Sequence, residues 1–515
     1  MAKNIDKWQF GDFQTPPELS LEAMRLCKKL DYNFKSIIEP TCGVGSFLFA
    51  AISTFPNFQK ALGLDINAEY IKIANATKGN FNNSEDVSIK QHDFFTYDWE
   101  KALYDLPQPI LIVGNPPWVT NSELGLINSS NLPEKSNFQK LNGFDAITGK
   151  SNFDISEWML LKYCEWLKSR IGVIAVLCKT AVARKILLNA WRSDYPLSSA
   201  TIFSIDAKQH FDASVDACFL VISKENNKAN KKECTIFPSL SVNNHKQRTF
   251  GYYEKLLLAD VDLFEKNKHL MGKDTAYIWR SGIKHDCSKV MELEKHDDCF
   301  VNGLNESVKL EDMYVFPMLK SSDVANGSIK YGRKYMLVTQ SFIGEETSHI
   351  SNDAPNTWRY LTAHSEALNR RASSIYRNRP AFSVFGVGDY SFAPYKIAIS
   401  GFYKSLTFKL VEPYFGKPVV LDDTVNFLPC WSKDEADFIM DLLNSTESTE
   451  FFTSMIFWEE KRPITVDILK RLSIKQLAIS KGKEKSYSKY ANHRSLYASQ
   501  EYVKHNEIIV GGGEI

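Results

Sequence analysis

The sequence predicts an α/β first domain built on a mostly parallel, doubly wound sheet, followed by an α+β second domain. Three observations carry this expectation. Across residues 1–223, short apolar β-like runs alternate with amphipathic stretches, the pattern of successive βαβ units. The stretch "KENNKANKKE" (224–233) is charged and poor in apolar residues, as a domain boundary would be. Beyond it the alternation fades into aromatic and β-branched segments broken by Gly and Pro.

The expected strands are "SIIEP" (36–40), "KALGLDI" (60–66), "VSIKQHD" (87–93), "PILIVGN" (109–115), "IGVIAVLC" (171–178) and "ACFLVIS" (217–223). Helices are expected at 17–30, 45–54, 67–77, 155–168 and 180–194, where apolar residues recur at helical spacing. Asp154 and Glu157 stand ahead of "WMLLKYCEWL" as a capping pair. Residues 121–152 are polar, rich in Asn and Ser, and longer than an ordinary connection.

At 515 residues the chain exceeds one core, and 44% hydrophobic with 24% charged residues is ordinary globular composition. No run reaches membrane-spanning length and the N-terminus carries no apolar signal, so a cytoplasmic protein is expected. Nine cysteines form no CxxC pair and suggest no disulfide framework. His285, Cys287, His296 and Cys299 recur in "KHDCSK" and "KHDDC", but their spacing matches no common zinc finger and no metal is expected. The net charge of +1 leaves nucleic acid open, so local clustering matters. Between Thr357 and Pro380, Arg359, Arg370, Arg371, Arg377 and Arg379 face a lone acid, Glu366, with Trp358, Tyr360 and Tyr376 among them.

"IIEPTCGVGSFLFAAI" (37–52) reads as a strand ending in an acid, a glycine turn and a helix, in which Gly43 and Gly45 let a ligand approach the backbone. Asp65 ends the next strand and Asp93 the third, so Glu39, Asp65 and Asp93 should converge on one crevice. A phosphate site would call for cations and helix N–H groups. Acids suit a cationic, nucleoside-bearing cofactor, and S-adenosylmethionine fits that description.

With these motifs in this order, the chain resembles the gamma-class, TaqI-like DNA N6-adenine methyltransferases of restriction-modification systems. The likeness covers residues 1–223 and rests on "FQTPPEL" (13–19), "EPTCGVGSF", "GLDI", "HDFF" and "NPPW". It implies a Rossmann-like S-adenosyl-L-methionine-dependent methyltransferase domain at 1–223, a linker at 224–233 and a DNA target-recognition domain at 234–515. It further implies that Thr15, Glu39, Thr41, Cys42, Gly43, Asp65, Ile66, Asp93, Phe94 and Asn115 bind the cofactor, and that Asn115, Pro116 and Trp118 act in catalysis. Phe211 would be the second aromatic on the target base, and Phe153 or Asp154 would lie near the cofactor.

The chemistry of "GNPPWVT" (114–120) follows from that substrate. Adenine N6 is a poor nucleophile because its lone pair is delocalised into the ring. The Asn115 side-chain oxygen and the Pro116 carbonyl can each accept one N6–H, drawing the nitrogen toward tetrahedral geometry and aiming its lone pair at the sulfonium methyl. No strong base is required, since the amino nitrogen becomes acidic once methylated. The prolines fix φ and keep the turn rigid. A base within a duplex must be flipped out, and stacking on Trp118, worth about 1–3 kcal/mol, offsets part of the unstacking cost. The family more often has Tyr there.

For the second domain, "YRNRPAFSVFGVGDYSFAPYKIAISG" (376–401) resembles target-recognition segments, with Arg377, Arg379 and Lys396 as expected contacts to double-stranded DNA. Two other readings compete. Methylation of a protein glutamine or an RNA amino group would use the same turn, but enzymes acting on glutamine lack so large an appendage. A DNA-binding specificity protein with an inactive methyltransferase half is opposed by the intact Asn115 and the three acids. No nuclease constellation precedes Phe13, so any cognate restriction endonuclease would act separately.

Overall fold

In the computed structural model, the described residues are 14–29, 32–119, 154–225, 232–241, 247–327, 329–492 and 494. The segment 121–152 and Phe153 lie outside them. The chain divides into two compact units, Met1–Val261 and Asp262–Ile515.

The first unit is built on strands β1 (Ser36–Glu39), β2 (Lys60–Asp65), β3 (Val87–Gln91), β4 (Ile110–Gly114), β5 (Gly172–Lys179), β6 (Ser199–Ile205), β7 (Ala217–Lys224), β8 (Glu233–Phe237), β9 (Arg248–Tyr253) and β10 (Leu256–Leu258). They form one sheet in the order β10-β9-β8-β6-β7-β5-β4-β1-β2-β3. From β3 to β5 every pairing is parallel, and β7 inserts antiparallel between β5 and β6. β1, β4 and β7 are buried along their whole length, as central strands of a sheet covered on both faces must be.

Helices α1 (Pro17–Lys28), α2 (Ser46–Thr54), α3 (Ala68–Lys78), α4 (Trp99–Tyr104), α5 (Ile155–Leu167), α6 (Thr180–Arg192) and α7 (Ala207–Phe211) complete the unit. Their starts follow local chemistry. Proline opens α1, left-handed Gly45 precedes α2, and the Asn67 side chain caps α3 by accepting from Glu69 and Tyr70 N–H. Asp154 caps α5 by accepting from Ser156 N–H. In α2, Phe47 through Ile52 are all buried, and the Phe47 ring stacks on Phe219 of β7 at 6.2 Å.

Two differences from the sequence reading are physical. β6 escapes a search for apolar runs because "SATIFSI" is only partly buried along its length. The boundary expected at 224–233 is also displaced. That charged stretch joins β7 to β8, and β8, parallel to β6, leads through β9 to β10, so the sheet of the first unit runs on to Leu258. Phe250 of β9, fully buried, packs against Trp191 of α6 at 5.4 Å, and Phe237 stacks on Phe203 at 5.1 Å.

The second unit is α+β, as expected. One sheet is formed by Arg280–Ser281, Val425–Cys430, Tyr395–Ser400 and Lys409–Val411, and a second, of six strands, runs between Glu292 and Leu421. Among the described residues no helix is long and apolar enough to cross a membrane.

Candidate active site

β1 and β4 are parallel neighbours, Ser36 opposite Ile110 and Ile38 opposite Ile112, so the loops leaving their carboxyl ends emerge side by side. β2 and β3 extend the sheet on one flank and β5 on the other, which makes this the switch point where a doubly wound sheet opens a crevice. The glycine turn follows β1 and "NPPW" follows β4.

The loop after β1 turns through Gly43 at φ +50° and Gly45 at φ +91°. A side chain at 43 would place its Cβ 2.6 Å from Gln14 Oε1, an oxygen that accepts from Val44 N–H at 3.3 Å. Gln14 therefore lies across the turn, next to Thr15, which is buried. Asp65 fastens the turn to the end of β2, with one carboxylate oxygen accepting from Gly43 N–H at 2.8 Å and the other from Asn67 N–H at 2.8 Å. Glu39 is buried and accepts from Leu48 N–H at 2.7 Å. Burial raises its pKa well above the ordinary carboxylate value, the Leu48 N–H opposes this, and the nearby Asp65 charge adds to it. Burial, with Glu39 and Asp65 beside it, also pushes the Cys42 thiol up, so the sulfur stays protonated and unreactive.

Asp93 accepts from Phe95 N–H at 2.9 Å, while Ile66 is 48% exposed at the end of β2. Phe94 is buried in an aromatic cluster with Phe95, Trp99, Trp158 and Trp166, ring centroids 5.4–5.9 Å away. It offers little open ring face.

The "NPPW" turn begins at Gly114, whose φ of +141° and position, with a built Cβ 3.3 Å from Glu39 Cγ, bring the two motifs into contact. Asn115 is half-buried, and Pro116 and Trp118 are buried. Trp118 meets Phe211, at the end of α7, in a T-shaped pair with centroids 5.3 Å apart and an interplanar angle of 71°. The structure thus joins two aromatics far apart in sequence. Asp154 lies beyond the turn, 6% exposed, capping α5 and paired with Lys179 at 2.8 Å. Sequence reasoning missed Gln14 and Lys179, because each makes its contact through a residue distant in the chain.

The N-6 DNA methylase family profile matches residues 2–250. The type II methyltransferase M.NspV of a Nostoc species is 44% identical over 481 residues, 93% of this chain and 99% of that protein. The chain belongs to the DNA N6 methyltransferases of restriction-modification systems. The type IIL restriction-modification enzyme MmeI, solved in complex with DNA, shares the fold at 13% identity with a TM-score of 0.50, across 97% of this chain and 73% of that one.

The methyltransferase uses S-adenosyl-L-methionine, which supplies an electrophilic methyl on a sulfonium. The crevice fits it. Thr41 Oγ1 is buried with no hydrogen-bond partner among the described residues, and the Asp65 carboxylate stands as an acceptor at the end of β2.

In the second unit of the methyltransferase the expected cationic cluster separates. Arg371 turns inward, donating to the Leu368, His285 and Ser383 carbonyls with its guanidinium 3.7 Å from the Tyr376 ring centroid, and Arg370 pairs with Glu366. Arg377 and Arg379 are exposed. Lys396 is not available to DNA. It is 1% exposed on its strand, Nζ donates to the Ala393 carbonyl at 2.6 Å, and burial lowers its pKa to about 7. Its strand is central in the four-stranded sheet and buried on both faces, so a side chain at 396 lies in the core whichever way it points. His296 and Cys299 face each other across a hairpin, while His285 pairs with Glu292.

Proposed function

We propose that this methyltransferase modifies one short duplex site, transferring a methyl group to N6 of a flipped-out adenine, as the partner of a separate cognate endonuclease in the cytoplasm. The observation that carries this reading is the adjacency of the glycine turn and "NPPW" at the ends of paired β1 and β4, with Gly114 against Glu39. Thr15, Glu39, Thr41, Cys42, Gly43, Asp65, Ile66, Asp93 and Phe94 hold the cofactor. The Asn115 side chain and the Pro116 carbonyl accept the two N6–H groups, and Trp118 and Phe211 contact the base. Trp118 is only 6% exposed, so base entry requires its surroundings to give way. Arg377 and Arg379 bind the DNA backbone or guanine edges.

Mapping methylated adenines in DNA from cells expressing the chain, beside an Asn115→Ala control, tests the reading. A single sequence context marked by the wild type and unmarked in the control is the expected result. Methylation of RNA or protein without DNA would overturn it.

A further inference from the structure

Prolines 116 and 117 have no N–H, so that stretch of the turn can be anchored from outside only through carbonyls, and that of Pro116 is reserved for the target amino group. The carbonyls of Trp118 and Val119, further along, are both taken. Gly114 stands in register with Val176 of β5. Three residues further along β5, Lys179 Nζ donates to the Trp118 carbonyl at 3.1 Å. The Val119 carbonyl accepts from Ile155 N–H at 3.0 Å, at the start of α5. Asp154 joins the two anchors. One of its oxygens pairs with Lys179 Nζ at 2.8 Å, and the other accepts from Ser156 N–H at 3.0 Å and Ser156 Oγ at 2.5 Å.

The pair is mostly withdrawn from solvent, with side-chain exposures of 8% for Asp154 and 23% for Lys179. An ion pair so placed is a poor source of stability, because desolvation of both charges offsets their attraction. Its value lies in direction. A hydrophobic pair of similar volume could fill the space but could not hold a carbonyl.

We propose that Lys179 is a positioning residue for methyl transfer, with Asp154 as its orienting partner. Held by Asp154, the ammonium fixes the Trp118 peptide, and with it the ring that packs edge to face on Phe211. This rests on the reading of residues 115–118 as the transfer site, and Asn115→Ala reports on that reading separately.

The test compares full-length wild type with Lys179→Met and Lys179→Arg on a duplex containing the mapped methylation site. A displacement of about 1 Å at a reacting centre costs about 100-fold in rate. Lys179→Met should therefore lower kcat by about that factor while the Kd for S-adenosylmethionine stays within about two-fold, and Lys179→Arg should restore most of the loss. With 2-aminopurine at the target position, emission in the Lys179→Met complex should exceed that of wild type, because the flipped base no longer stacks on Trp118. A kcat within about two-fold of wild type would overturn the proposal, as would a kcat loss matched by lost cofactor affinity, unchanged 2-aminopurine emission or no recovery with arginine. If Lys179→Met fails to fold, Asp154→Asn decides. It keeps a capping oxygen while removing the charge that holds the lysine. A kcat reduced about ten-fold with the Kd for S-adenosylmethionine within about two-fold supports the proposal, and an unchanged kcat overturns it.

Discussion

Glu39 combines two demands that pull against each other. Its oxygen pins the start of α2 at Leu48, yet its carboxyl is buried and its pKa is raised by that burial. A carboxyl whose folded pKa lies above the unfolded value contributes stability below the unfolded value, and that contribution fades as pH rises through the folded value. Relative to Glu39→Gln, the cofactor-free enzyme should therefore be most stable in acid and lose that advantage as pH rises above the ordinary Glu range. A cationic cofactor favours the carboxylate, so binding should release a proton. Calorimetric titration of S-adenosylmethionine in two buffers of different ionisation enthalpy should detect this release in wild type and find it absent in Glu39→Gln. The acid itself was legible from its place at a strand end, but its burial depends on Leu48 and Gly114 and was not. Lys396 shows the opposite failure. A lysine among arginines and aromatics reads as a DNA contact, but its strand is buried on both faces.

At the scale of elements, β1, β2, β4, β5 and β7 were readable because their apolar runs are nearly continuous, and β3 because Val87 and Ile89 alternate with polar residues. β8 to β10 were assigned to the wrong side of the boundary because a charged, apolar-poor stretch looks the same whether it joins two domains or two strands. The difference has a measurable consequence. A fragment ending at residue 233 would leave β6 as an open edge and uncover Trp191 and Phe203, which Phe250 and Phe237 cover. Burying one such aromatic is worth about 1.5–3 kcal/mol, and an unpaired edge invites association. Residues 1–233 should aggregate on expression, whereas residues 1–261 should be monomeric by size-exclusion chromatography and bind S-adenosylmethionine.

At the scale of the whole molecule, a net charge of +1 cannot draw DNA by bulk attraction, so affinity must come from placed cations. Every cation that neutralises a phosphate steepens the fall of log K with log salt by about one unit of slope. Replacing either Arg377 or Arg379 by Ala should therefore reduce the salt slope by about one where the residue meets phosphate. Where it meets a guanine edge, the slope should hold and discrimination at that position should weaken. Lys396→Ala should change neither and instead lower Tm, because it opens a cavity in the core of the second unit. Fluorescence anisotropy across a salt series separates these outcomes. The fold class was legible because alternating apolar and amphipathic runs mark βαβ units, whereas the surface that meets DNA depends on which way each side chain turns.

The bond between Val119 and Ile155 has an evolutionary consequence. Val119 ends the "NPPW" stretch at one side of a 3.0 Å hydrogen bond and Ile155 opens α5 at the other, so the two ends of the intervening interval are pinned together. Closing a loop twice as long costs only about 0.6 kcal/mol more. Insertions and deletions between residues 120 and 153 are thus buffered from the chemistry, leaving that interval free to diverge in length and composition while the turn before it stays fixed.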